Sequence, residues 1–259
     1  MSARPSPIRA VKHRLRGQPA SDGAGVKLTR VIGTRQFDGL DPFLMLDEFG
    51  SDQPGDYLAG FPEHPHRGFE TVTYMLDGRM RHRDNAGNEG LLEPGSVQWM
   101  TAGRGILHSE MPEQVEGLMR GFQLWVNLPA RDKMTAPRYQ EFPASAIPAT
   151  ELAPGATAKV IAGRVGAVEG PVRAEATQAV YVDLILAAGA SAVVPLPEGH
   201  NAFAYVYEGA TRIGDEPIAR GELAVLETTG EFHVVAGEAG ARLILVAGRP
   251  LNEPVAKYG

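Results

Sequence analysis

Short runs of alternating apolar and polar residues, each stopped by a tight turn, recur along this 259-residue chain, and its two halves follow one layout. Phe69-Glu70-Thr71-Val72-Thr73-Tyr74-Met75-Leu76 ends on Asp77-Gly78, and alternation of this kind sends successive side chains to opposite faces of a strand. Tyr205-Val206-Tyr207-Glu208-Gly209 repeats Tyr74-Met75-Leu76-Asp77-Gly78. Residues 221–226 repeat the stretch around 95–99, and Leu243-Ile244-Leu245-Val246 with Pro250 repeats Leu124-Trp125-Val126 with Pro129. An internal repeat made of strands predicts an all-β protein of two similar barrels in tandem, jelly-roll-like, with few short helices.

Further strands are predicted at 26–32, 43–47, 97–100, 106–111 and 121–128, with 84–88 as a hairpin loop between 79–83 and 90–92. The 31 glycines and 20 prolines have no collagen or low-complexity period, so they read as turn punctuation. A linker rich in proline and alanine at 128–148 places the boundary near residue 135. The expected division is a first barrel over 1–135 and a second over 136–259.

Composition excludes several classes of function. A net charge of −6 gives no electrostatic reason for nucleic-acid binding. The basic residues near the start (Arg4, Arg9, Lys12, His13, Arg14 and Arg16) read as a solvated strand. The chain has no cysteine, which removes disulfides, thiolate metal sites and cysteine nucleophiles, and fits a reducing compartment. No apolar run matches a secretory signal or a membrane span. A cytoplasmic monomer without a membrane partner is expected.

The chemistry gathers in two short motifs, His64-Pro65-His66 and His108-Ser109-Glu110. Residues two apart on a strand share a face, so each motif aims two ligands in one direction. If the two strands face each other across a barrel, three imidazoles and one carboxylate converge: His64, His66, His108 and Glu110. Pro65 fits the start of a strand, where a missing N–H costs no ladder bond. One His-x-His is expected about 0.2 times by chance in a chain with this many histidines, so the pair of motifs carries the argument. Nitrogen and oxygen donors without sulfur suit iron, manganese, cobalt, nickel or zinc. An open catalytic or sensing site and a closed four-coordinate zinc site both remain compatible with this set.

Around these ligands, alternation through Arg79-Met80-Arg81-His82-Arg83 turns the arginines to solvent and Met80 with His82 inward. Phe61, Met80 and His82 are the candidate pocket residues, His82 reading foremost as a core histidine. In the second half the motif is lost: Pro195-Leu196-Pro197 stands where the repeat would place the histidines. One barrel is therefore expected to bind metal and the other to support it.

Longer stretches carry a family resemblance. They are Leu40-Asp41-Pro42-Phe43 with Asp47-Glu48-Phe49, then Phe61-Pro62-Glu63-His64-Pro65-His66-Arg67-Gly68-Phe69-Glu70-Thr71-Val72, then residues 98–112 from Gln98-Trp99-Met100 to Glu110-Met111-Pro112, and Leu124-Trp125-Val126-Asn127-Leu128. With them the chain resembles the pirins, a family of double cupin barrels. The resemblance thins in the second half but reaches Gly248-Arg249-Pro250-Leu251. It implies one iron ion, ferrous in the resting form, at His64, His66, His108 and Glu110, with manganese, cobalt, nickel, copper or zinc as substitutes. Glu70 stands where many cupins have a ligand, and the resemblance leaves it out of the set. Longer pirins continue beyond a segment like Lys257-Tyr258-Gly259, which implies a short member or a shortened chain.

Two functions follow from the resemblance. One is a quercetinase-type flavonol dioxygenase (2,3- or 2,4-cleaving) that takes a small aromatic, flavonol-like ligand, with Glu110 as the catalytic base accepting the 3-hydroxyl proton. The other is an iron-dependent redox sensor that binds a transcription factor or a metabolic enzyme without turnover. For the sensor, the Arg79/Arg81/Arg83 face is the candidate protein contact.

Overall fold

The computed structural model describes residues 7–256; Arg4 and the Lys257-Tyr258-Gly259 terminus lie outside the described residues. As expected, the fold is all-β with a few single-turn 3-10 helices. The described residues separate into two compact units, one of residues 18–146 with 251–256 and the other of residues 7–17 with 147–250.

In the first of these units a seven-stranded sheet runs in the order Arg138–Phe142, Val97–Thr101, Phe69–Asp77, Met119–Asn127, Phe43–Ser51, Val26–Ile32, Gln18–Asp22. A smaller sheet holds Phe61–His66, Ile106–Pro112, Met80–Asp84 and Glu89–Leu92. Every pairing among these strands is antiparallel. Leu28, Phe49, Met75, Met80, Leu92 and Met119 form an apolar cluster, and Phe61 packs against it. Strict alternation decides which residues enter the interior: Met80 and His82 are buried while Arg83 is exposed.

A polar row crosses the larger sheet. Thr73 pairs with Gln123, Gln123 with Asp47, and Asp47 with Arg30, each directly opposite the next. Arg30 forks onto Asp47 through Nε (2.9 Å) and Nη2 (2.8 Å), and Nη2 also reaches Asp22 at 2.7 Å. A bidentate guanidinium–carboxylate pair is the arrangement that best offsets the cost of placing charge off solvent. Gly23, next to Asp22, has φ +58°, and a Cβ there would stand 2.6 Å from the Gly60 carbonyl oxygen. Only glycine lets this hairpin close down on the start of Phe61–His66.

The other unit has a nine-stranded sheet dominated by two long strands, Asn201–Ile213 and Phe232–Gly248, and a small two-stranded ribbon of Arg164–Val165 and Val168–Glu169. Their register shifts beside Gly209, whose φ is +66°; a Cβ there would lie 2.1 Å from the Gly240 carbonyl oxygen. Such bulges let long strands bend and serve both layers of a barrel. One large apolar cluster, aliphatic apart from Phe232, holds Val182, Leu184, Val194, Ala204, Val206 and Leu245, all fully buried. Leu196, from the segment that replaces the histidine motif, is part of this core.

Two features of this unit differ from the sequence expectations. The division expected at residue 135 placed the N-terminal segment with the first barrel, yet strand Val11–Arg16 pairs with Glu222–Leu226. The signal is absent locally, because a strand's partner is set by long-range pairing and not by its own pattern. Lys12, His13, Arg14 and Arg16 are solvent-exposed as expected, but Arg9 is completely buried. Its Nε donates to the Gly230 carbonyl (3.1 Å), Nη1 to the His200 carbonyl (3.0 Å) and Nη2 to the Pro197 carbonyl (3.0 Å). Three loop carbonyls thus find their donor in a single side chain.

Arg9→Met keeps the length of the side chain and removes all three bonds. Hydrogen bonds from a charged donor contribute about 1.5–3 kcal/mol each, with partial rescue by solvent, so urea denaturation is expected to show a loss of roughly 3 kcal/mol.

Candidate metal centre

His64 and His66 lie on Phe61–His66, at the edge of the smaller sheet. An edge strand tolerates Pro62 and Pro65, whose missing N–H groups leave no ladder bond unmade on the open side. Ile106–Pro112 pairs with this strand, placing His108 opposite His64 and Ile106 opposite His66. The two motifs therefore adjoin in one sheet and do not face each other across a barrel, the arrangement first expected. Convergence is still achieved because directly opposed residues share a face. The register slips between His108 and Glu110, and Glu110 pairs on its other side with His82.

The three imidazoles each offer a nitrogen, all within 4.8 Å of one another. His64 Nε2 stands 3.0 Å from His66 Nε2 and 3.1 Å from His108 Nε2. His64 Nδ1 lies 2.8 Å from the Pro62 carbonyl oxygen, which can only accept, so Nδ1 carries the proton and Nε2 the lone pair. His66 is held edge-on to Trp125 (5.3 Å between centroids) and Phe69 (5.1 Å). His66 and His108 are almost fully buried. Burial, reinforced by the neighbouring histidines, pushes both down to about 3.

His66 and His108 are thus neutral at neutral pH, and their nitrogens are crowded against that of His64. A shared proton relieves one such contact; a cation relieves all of them. The donor set therefore fits a metal ion bound through imidazole nitrogen. His108 Nδ1 is buried without a protein partner.

Glu110 is buried beside the three rings, outside the set whose nitrogens lie mutually within 4.8 Å. Thr73 Oγ1 donates to its Oε1 at 2.9 Å. The same hydroxyl lies 2.6 Å from the side-chain oxygen position of Gln123, and the Gln123 amide also lies 3.5 Å from Glu110 Oε2. One hydroxyl proton serves one acceptor. With Glu110 ionised it goes to the carboxylate, the stronger acceptor, while the NH2 end of Gln123 faces Glu110 Oε2. Burial pushes the Glu110 carboxyl up, against the Thr73 bond and the nearby His64 and His82.

His64, His66 and Glu110 line a cavity of about 690 Å³, with Met45, Phe49, Phe61, Met80 and Trp125 among its apolar walls. Of the candidate pocket residues, Phe61 and Met80 line this cavity and His82 does not. His82 is buried 5.8 Å from the His108 ring and packs on Tyr139 at 4.7 Å. Glu70 is turned away: it lies an odd number of positions from Thr73 on one strand, and its carboxylate accepts from Trp99 Nε1 (2.9 Å) and Thr101 Oγ1 (2.7 Å). Thr73, Gln123 and Asp47 were not foreseen from sequence. The available signal was parity, since Gln123 shares a face with Trp125 while Phe122, Leu124 and Val126 take the other.

A double cupin barrel with a metal-competent histidine cluster in one barrel is the class that fold and site define. The pirin family model matches residues 25–126, and the model of the pirin C-terminal cupin domain matches residues 181–259. A Pseudomonas aeruginosa protein with a provisional quercetin 2,3-dioxygenase name is 55% identical, over 94% of this chain and 87% of its own. A pirin-like protein of Caulobacter vibrioides is 52% identical, over 98% and 92%. The crystal structure of quercetin 2,3-dioxygenase from Acinetobacter baumannii superposes with a TM-score of 0.90 at 33% identity, covering 98% of this chain and 91% of that one. The chain belongs to the pirin family.

A ligand that binds only the folded protein at 100 times its Kd adds about 2.7 kcal/mol of stability. Cobalt(II) at that excess is expected to raise the Tm of the metal-free protein by several degrees, and a chelator to reverse the shift. His64→Ala, which removes the central ring, is expected to abolish the response in the same thermal scan.

Proposed function

We propose that this protein is a mononuclear iron oxidoreductase of the quercetinase type, cleaving a flavonol-like aromatic with dioxygen. His64, His66, His108 and Glu110 would hold the ion. The observation that carries the reading is the opening of a metal-competent histidine cluster, with a buried carboxylate beside it, into an apolar cavity of about 690 Å³. That volume lies within the range of small-molecule sites. The relatives named for quercetin 2,3-dioxygenase activity support it.

Ferrous iron, when bound, would supply Lewis acidity and a template for substrate and dioxygen. The chain's own part is binding, orientation and proton handling. Phe49, Phe61, Met80 and Trp125 offer apolar contact to a flat aromatic and keep water from the reacting face. Glu110 accepts the 3-hydroxyl proton at its carboxylate, a role for which a carboxyl raised by burial is a stronger base than an exposed one. Thr73 steadies the carboxylate during that transfer.

The regulator reading has less support on its contact face. Arg81 bridges Glu113 and Glu89, and Arg83 also pairs with Glu89. This compensates much of the positive charge that a partner would read.

Anaerobic loading with ferrous iron followed by air and quercetin tests the proposal. Loss of the flavonol absorbance is expected in the native protein, and a fall in rate of more than about 100-fold in His108→Ala. Equal rates in both would sink the enzyme reading, and iron binding without turnover would favour the regulator.

A further inference from the structure

We infer that Thr73, backed by Gln123, is a positioning residue for the Glu110 carboxylate, fixing which of its oxygens is left for a cation. The inference rests on the metal reading above and concerns residues outside the ligand set.

Three observations carry it. First, Glu110 is buried in a cavity wall among imidazoles and apolar side chains, with Gln123 as its polar neighbour in the lining. A carboxylate there has few partners to set its rotation. Second, the partner it does have is specific: Thr73 Oγ1 at 2.9 Å from Oε1. Thr73 is itself buried on the interior strand Phe69–Asp77, so its hydroxyl has little freedom to follow a carboxylate that rotates. Third, Thr73 and Gln123 are directly opposed on neighbouring strands. Their 2.6 Å contact ties the hydroxyl to the amide, and Gln123 is in turn opposed to Asp47, which Arg30 holds by two bonds.

The result is a chain of cross-strand contacts from a fixed ion pair to one carboxylate oxygen. With Oε1 committed to Thr73, Oε2, which has only the long 3.5 Å contact from the Gln123 amide, is the oxygen left to meet a cation. Hydrogen bonds of this kind orient ligands and commonly account for 10–100-fold in metal affinity. A threonine kept only for strand packing would be replaced by valine without effect, because the two are nearly the same shape and both suit a strand interior.

Cobalt(II) binding to the metal-free protein is the test, read by calorimetric titration and by the visible absorption of the loaded protein, which reports the geometry of the ligand set without turnover. Thr73→Val is expected to weaken cobalt binding ~10-fold or more and to shift the visible band. Thr73→Ser, which restores the hydroxyl, is expected to recover both. Gln123→Met is expected to shift the band in the same direction by a smaller amount. Circular dichroism and the melting temperature of each metal-free variant report whether it has folded.

A folded Thr73→Val that binds cobalt like the native protein, with an unchanged band, would overturn the inference. So would serine behaving like valine. Failure of the native protein to bind cobalt is a different result: it would remove the metal reading itself, and it is seen before any variant is compared.

Discussion

The antiparallel pairing of Phe61–His66 with Ile106–Pro112 is the constraint on which the site depends. A ladder of backbone hydrogen bonds sets His108 against His64, and the His-x-His spacing brings His66 onto the same side. None of the three rings needs a loop to place it. A one-residue slip in this register would send both motifs to the opposite face at once. Prolines at 62 and 65 and the close approach of Gly23 to Gly60 restrict this edge strand to one conformation. The three nitrogens then crowd to about 3 Å, a contact that is unfavourable for neutral rings and becomes useful once a cation is shared among them.

The two barrels show what this architecture does with and without such a site. In one, the interior carries a polar row of Thr73, Gln123, Asp47 and Arg30, and space remains between it and the histidines. In the other, alanine, valine, leucine and isoleucine with Phe232 form one buried apolar cluster. Close packing of this kind gains apolar contact. One framework thus carries a polar, histidine-lined interior in one copy and an apolar cluster in the other, and the difference lies in the inward-facing positions of a handful of strands.

The strands of the histidine-bearing barrel could be read from the sequence because period-two alternation and glycine turns are local signals. The predicted stretch at 26–32 coincides with Val26–Ile32, those at 43–47, 97–100 and 106–111 lie within strands that run further, and 79–83 and 121–128 each miss a strand end by one residue. The convergence of His64, His66 and His108 was legible for the same reason: spacing of two on a strand fixes the face. What could not be read was pairing. Whether two strands adjoin or oppose depends on residues far apart in the chain, so the motifs were expected across a barrel and lie side by side. Arg9 looked like part of a solvated basic strand because nothing in its neighbours announces three carbonyls supplied by residues 197–230. Thr73 and Gln123 escaped notice because uncharged polar residues in a strand read as filler until a partner is seen.

Strand Val11–Arg16 is made early and used late. Its partner, Glu222–Leu226, lies some 200 residues further along the chain. At ribosomal speeds of about 5–20 residues per second, that gap is roughly 10–40 s. Throughout it, the whole of the histidine-bearing barrel up to residue 146 can emerge while this strand waits without its ladder. The exposed Lys12, Arg14 and Arg16 give that waiting segment a positive charge, which discourages copies on neighbouring chains from pairing with one another. Surface charges of the finished molecule thus also guard the nascent one.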